Sequence, residues 1–444
     1  MICGCLLIVN CLLPFRRAHV LEPKKRMQYR VVPNRHLEIE RLFEDINLNC
    51  RQSESLCENI NQAQEQATID CQRLREMSEL LESQANAGQI PLHLSKPKHD
   101  KKREFEKIVH ESLIAIARMF STLGGLFQDI YTRIDSFLER ELTSEIRNWL
   151  RCQQLAGNGA SMENGNMDQL QSWSEQLLEA ILNQCRTISR AQHMLTSPLA
   201  YNDPSNLIGS LAELNEKYTG LIVKITQKTF IIEKQPPQVM KTNTRFTSTV
   251  RLLVGVKASL HHYPPRVDVS IISEAQASNL VRSKDALTDS LLKECAGEIL
   301  NNHGPMEFNS ISNQLSLNLR NMQLKKIRRT EKKGTESVMD EKFALLFLTR
   351  FKIGEQFYRA WTLSLPVVAV VHGNQEPHAW ATVTWDNAFA EPVRYTKLSS
   401  LFSGSFPGAG SNRITVLSES SAVQHTGQGD LEQGRRGAEH QIQK

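Results

Sequence analysis

Between residues 37 and 225 apolar side chains recur every three or four positions in four separate stripes. A stripe at that spacing lies along one face of an α-helix. Four such helices can hide their stripes together by packing side by side, as an antiparallel four-helix coiled-coil bundle. The first runs from Leu37 to about Ala87 through Leu56, Ile60, Ala63, Ala67, Leu74, Met77 and Leu81. A break over residues 88–100 holds Pro91 and Pro97, which remove backbone donors a helix interior needs. The second helix carries Phe105, Val109, Ile116, Phe120, Leu123, Phe127, Ile130 and Ile134 to about Leu155, roughly 50 residues. After a Gly/Asn-rich loop, Leu170, Trp173, Leu177, Ile181, Ile188 and Leu195 mark a third. Asp203-Pro204, a cap followed by proline, opens a fourth through Leu207, Leu211, Leu214, Tyr218, Leu221 and Ile225.

The pattern changes at Gln235-Pro236-Pro237. Short β-branched, alternating segments follow from Thr244, Arg266, Phe343, Trp361 and Ala379, separated by turn-forming stretches. They predict an antiparallel sandwich or barrel. The expected organisation is an atypical, disordered segment over 1–34, the coiled-coil domain over 35–232, the β-domain over 233–398, and a disordered tail over 399–444, where large apolar residues are almost absent.

The chain has 444 residues, 40% hydrophobic and 23% charged, enough for two or three domains with cores. With 53 Lys+Arg against 48 Asp+Glu the net charge is only +5, so a basic partner surface must come from clustering. Nine cysteines without Cys-x-x-Cys spacing, and no Asn-x-Ser/Thr acceptor, fit a reducing, intracellular setting. Ile2 to Pro14 has the length of a secretory apolar core. No Lys or Arg precedes it and no clean cleavage site follows, so a non-native or alternatively spliced start is the preferred reading. The run is too short to span a bilayer, and no membrane partner is expected.

No metalloprotease, nucleophile-elbow, dinucleotide or Walker sequence occurs, so no enzyme, metal or cofactor is expected. His261-His262-Tyr263 and His372-Gly373-Asn374 read as loop residues. The densest charge is Lys325, Lys326, Arg328, Arg329, Lys332 and Lys333, six cations in nine residues. Such a run makes a phosphate-contacting loop, a nuclear-import signal or merely a solvated surface. Asn387 follows a predicted strand, and its amide could offer a donor and an acceptor to a base edge. In a turn, Asn more often serves local backbone.

Several ordered segments carry a resemblance: Phe230 to Thr242 (FIIEKQPPQVMKT), Gly297 to Asn302 (GEILNN), Lys332 to Lys342 (KKGTESVMDEK), Leu363 to Gln375 (LSLPVVAVVHGNQ), Thr384 to Pro392 (TWDNAFAEP) and Arg151 to Ala160 (RCQQLAGNGA). Over about Arg35 to Val393 the chain resembles the STAT family (signal transducers and activators of transcription), particularly the branch with the prolactin-responsive members. The resemblance implies a coiled coil that recruits coactivator or import proteins. It also implies an immunoglobulin-like (p53-like) β-sandwich binding TTC…GAA elements with other STAT chains in cytokine (JAK-STAT) signalling between cytoplasm and nucleus. By motif position it puts Lys241, Glu341 and Asn387 at or near DNA; Arg245 and the basic run join them as candidate DNA contacts by their charge. It further implies that the amino-terminal domain, linker, SH2 domain and regulatory tyrosine are missing. The alternative reading is a coiled-coil scaffold or dominant-negative form indifferent to DNA.

Overall fold

A computed structural model describes residues 33–86, 92–162, 167–196, 204–282, 287, 294–329 and 341–389. The expected disordered segment and tail, with Lys332 and Lys333, lie outside the described residues.

The helical half comprises α1 (Pro33–Asn86), α2 (Leu92–Phe137), α3 (Thr143–Gly157), α4 (Met167–Leu195) and α5 (Pro204–Thr229). Pro97 falls inside α2, not in a break. Near a helix start it forfeits one backbone hydrogen bond, and the long helix tolerates this. A single π turn, Leu138–Leu142, joins α2 to α3, so the second stripe is one rod from Leu92 to Gly157. The Thr143 hydroxyl bonds the Leu138 carbonyl at 2.7 Å, closing the wide turn, and accepts from Lys228 Nζ at 2.6 Å.

Ile60, Ile116, Leu123, Phe127, Ile130, Ile134, Leu177, Ile181, Ile188, Tyr218, Leu221 and Ile225 are fully buried between the helices. Tyr218 stays satisfied there by donating its hydroxyl to the Phe127 carbonyl at 2.8 Å. Each sequential helical hairpin is antiparallel, but pairing across the hairpins is parallel. Ser53 meets Gln184 and Gln64 meets Met194, both ascending, while Asp135 meets Lys224 and Glu139 meets Lys228. Because α4 ends at Leu195 beside Gln64, the remainder of α1 packs, among the described residues, against α2.

Burial also sets how this core answers to pH. The Cys50 and Cys185 thiols are pushed from their ordinary 9.0 to about 11, mainly by desolvation. Between pH 9 and 11 the unfolded chain therefore releases protons the folded chain keeps, and stability falls as pH rises. Under reducing conditions the urea midpoint should be lower at pH 10 than at pH 7.5; an unchanged midpoint would contradict this.

The β half begins at β1 (Phe230–Lys234), directly after α5 and ahead of Gln235-Pro236-Pro237. It continues with β2 (Val239–Lys241), β3 (Arg245–Leu252), β4 (Arg266–Ser273), helix α6 (Glu274–Arg282), β5 (Gly297–Leu300), β6 (His303–Pro305), β7 (Glu307–Asn309), β8 (Gln314–Ile327), β9 (Lys342–Ile353), β10 (Gln356–Leu363) and β11 (Val367–Val370). One sheet is ordered β1-β3-β8-β5, with β7 also on β8. The other is β2-β11-β9-β4-β6, with β10 also on β9. Among the described residues every strand pairing is antiparallel except β2 with β11. Apolar inward faces such as Val250, Leu319, Met322, Val269, Ile271, Leu345 and Phe347 fill the space between sheets.

Two strand expectations change. The run from Trp361 is two strands, split at Ser364-Leu365-Pro366, where proline cannot donate to the ladder. The segment from Ala379 is helix α7 (Glu376–Phe389). Its buried stripe Ala379, Val383, Asn387 repeats every four residues, and Ala379 and Val383 pack on Val368, Val370 and Val239. That tertiary contact overrides the β-branched Thr382-Val383-Thr384.

Candidate nucleic-acid interface

The short β2 leads into a tight turn in which Asn243 adopts φ 63°, a left-handed conformation Asn tolerates. The Asn243 backbone N–H donates to the Leu324 carbonyl at 2.8 Å, and Thr242 N–H to the Val370 carbonyl at 3.0 Å. These bonds press the turn against the end of β8 on one side and of β11 on the other. Lys241 and Arg245, at its two shoulders, are both exposed.

Arg245 pairs with Gln323 in the β3–β8 register, so Lys325 stands diagonally across from it, a separation of about 7–8 Å. Lys325 and Lys326 belong to β8 and not to a loop, and both are exposed because the β5–β8 register shifts at Glu298/Ile299. Lys325 reaches Glu298 at 3.3 Å, but both side chains are more than half exposed, so the pair is weak and yields readily to a stronger anion. Arg328 is exposed just beyond. Gly297, opposite Ile327, permits this approach, since a Cβ there would sit 2.4 Å from the Lys326 carbonyl.

Arg329 and Glu341 differ. Their side chains are 20% and 10% exposed and pair at 3.1 Å, and Arg329 also donates to the Ala369 carbonyl at 2.6 Å. The pair ties the exit of β8 and the entry of β9 to β11. Glu341 orients Arg329, and neither faces outward as Lys241 does.

Asn387 requires a correction. It is 1% exposed, in α7 and not in a loop, and its amide is engaged by Gln238 and Asn158. A side chain so placed cannot reach a base edge without breaking those bonds. The structure therefore gathers Lys241, Arg245, Lys325, Lys326, Arg328, Arg329 and Glu341 at one end of the sandwich and leaves Asn387 against the bundle.

The turn after β11 holds His372-Gly373-Asn374, which the sequence pattern alone reads only as loop residues. His372 and Asn374 are exposed there, and Lys241 Nζ lies 4.0 Å from where a Cβ on Gly373 would sit. Gln375 braces the turn, its amide oxygen accepting from the Val371 and His372 N–H groups at 3.0 and 3.2 Å. The missed signal is position: the cluster directly follows the all-buried Val367–Val370. Among the described residues no group of three or more His, Cys, Asp or Glu could hold a metal ion.

These features define a class: a helical bundle fused to a β-sandwich whose end carries a cationic edge with amide and imidazole groups beside it. The family model for the STAT transcription factor coiled-coil domain matches residues 40–222, and that for the STAT protein DNA binding domain matches 234–370. The chain belongs to the STAT family. It is 44% identical over 258 residues to the Signal transducer and transcription activator of Drosophila melanogaster, covering 58% of this chain and 33% of that protein. The chain thus spans about a third of the length of that curated relative.

Proposed function

We propose that this chain is a sequence-specific DNA-binding regulator of transcription in cytokine-type signalling, non-catalytic and active in the nucleus after residence in the cytoplasm. The observation that carries the reading is the convergence of Lys241, Arg245, Lys325, Lys326 and Arg328 on one sandwich end, within the region matched as DNA-binding. Ammonium and guanidinium groups there neutralise phosphates, while His372 and Asn374 offer donors and acceptors to base edges. TTC…GAA elements are the proposed target, other STAT chains the proposed partners, and the coiled coil the surface for coactivator or import proteins. Lys332 and Lys333 extend the same basic run.

Titrating the full chain against a TTC…GAA duplex and a scrambled one, at two salt concentrations, tests this. Preference for the first, with affinity falling steeply as salt rises, is the expected result. Equal or salt-insensitive binding would reject it. A second reading, a scaffold working through the coiled coil alone, draws on the exposed Ile69, Leu80 and Ile108 of α1 and α2. It requires that loss of Lys241 leave cellular function intact.

A further inference from the structure

We propose that Asn387 is a positioning residue for the cationic edge, acting through Gln238 on Lys241 and set in place by Gly157 and Asn158 of the bundle; the proposal rests on the DNA-binding reading above. Two buried amides meet face to face. Asn387 Nδ2 donates to Gln238 Oε1 at 2.7 Å, and Gln238 Nε2 donates to Asn387 Oδ1 at 3.1 Å. Asn387 Nδ2 also donates to Asn158 Oδ1 at 3.2 Å, and Gln238 Nε2 to the Pro366 carbonyl at 3.0 Å. Asn158 Nδ2 in turn donates to the Thr384 carbonyl at 2.9 Å. Both donors of Asn387 Nδ2 and both of Gln238 Nε2 are thus used, and a satisfied buried pair fixes one arrangement.

Gly157 is the independent sign that this joint is built to close tolerance. A Cβ there would lie 2.7 Å from both Asn387 Nδ2 and Gln238 Oε1. The end of α3 is pressed onto the amide pair, so a methyl group there would have to displace the tips of both side chains. Arg151, about one and two-thirds turns earlier, donates to the Asn387 and Ala388 carbonyls at 2.9 and 3.0 Å and caps α7 from the bundle side.

The link to Lys241 runs along β2. The Gln238 carbonyl accepts from Val368 N–H at 2.7 Å and starts the parallel register that sets Lys241 opposite Val370. Lys241 is three residues on, about 10 Å away. Apolar contact alone sets the height of so short a strand above the core; the directional amide pair also sets its register and rotation. The joint therefore transmits the position of α3 to the Lys241 ammonium without itself touching DNA.

The test is a double-mutant cycle on the full chain with the TTC…GAA duplex. Asn387→Leu with Gln238→Met removes both partners at similar volume, so no buried amide is orphaned in the pair. This variant is expected to lower the log–log salt slope by about one, as Lys241→Ala alone does. Adding Lys241→Ala to it should then change affinity by less than about twofold, because the sites act as one. Hydrogen exchange of the Val239–Arg245 amides, measured without DNA, should quicken at least about tenfold. Gly157→Ala, which keeps both amides, should give the same pattern if the double replacement fails to fold. Additive losses, or an unchanged slope, overturn the proposal. If wild type shows no duplex preference the function reading falls by itself, and unaltered exchange in β2 would still overturn the positioning claim.

Discussion

Replacing Arg251 by leucine is expected to destabilise the protein by about 3 kcal/mol, the low end for breaking a buried ion pair, since Glu233 keeps 37% of its side chain in solvent. Arg251 lies in β3 with 2% of its side chain exposed and pairs with Glu233 of β1 at 3.2 Å. It also donates to the Gln171 amide oxygen and lies 3.8 Å from Asp168, both on α4. One guanidinium therefore bridges the sandwich and the bundle at this junction. Its loss would leave the buried Gln171 Oε1 and the partly exposed Glu233 carboxylate without this partner. Lysine should not rescue it, because one ammonium cannot span the fork of contacts on two elements. Equilibrium urea unfolding measures this; a change below about 0.5 kcal/mol, the range of ordinary surface substitutions, would show that the junction does not depend on Arg251.

The second large effect concerns binding. Converting Lys241, Arg245, Lys325 and Lys326 together to alanine should weaken duplex affinity about a thousandfold near physiological salt. It should also flatten the log–log salt slope by about 3.6, at roughly 0.9 per neutralised phosphate. All four are exposed, so the melting temperature should move little. Because phosphate contacts carry no sequence information, the TTC…GAA and scrambled duplexes should lose affinity alike. A selective loss on TTC…GAA would assign base reading to these cations, and an unaltered slope would move the interface elsewhere.

Much of this architecture was legible in the residue pattern. Stripes at threes and fours located the helices because burial of one face dominates their stability. The π turn at Leu138–Leu142 left no trace, since a single extra residue hardly disturbs a stripe running through Phe137, Leu142 and Ile146. Parallel pairing of α1 with α4 was equally hidden, because periodicity states which face is buried and not against what. In the β half, Thr382-Val383-Thr384 read as strand by propensity, whereas the decisive feature was the Ala379–Val383–Asn387 spacing. That error carried Asn387 into an imagined loop, whereas it is buried in α7. Lys325 and Lys326 were found by charge density alone. Lys241 and His372 could be joined only by the β2–β11 pairing, a contact between residues about 130 apart in the chain.

The length of α1 gives the bundle a further property. At 54 residues it is about 80 Å long, and beyond Gln64 its last 30 Å or so run past the end of α4. The α1–α2 pair is therefore a lever arm rooted near the sandwich. A tilt of about five degrees at the root would sweep its tip through about 7 Å, a little more than one helical pitch. Anything gripping that tip would work at a large mechanical advantage over the small joint at Gly157.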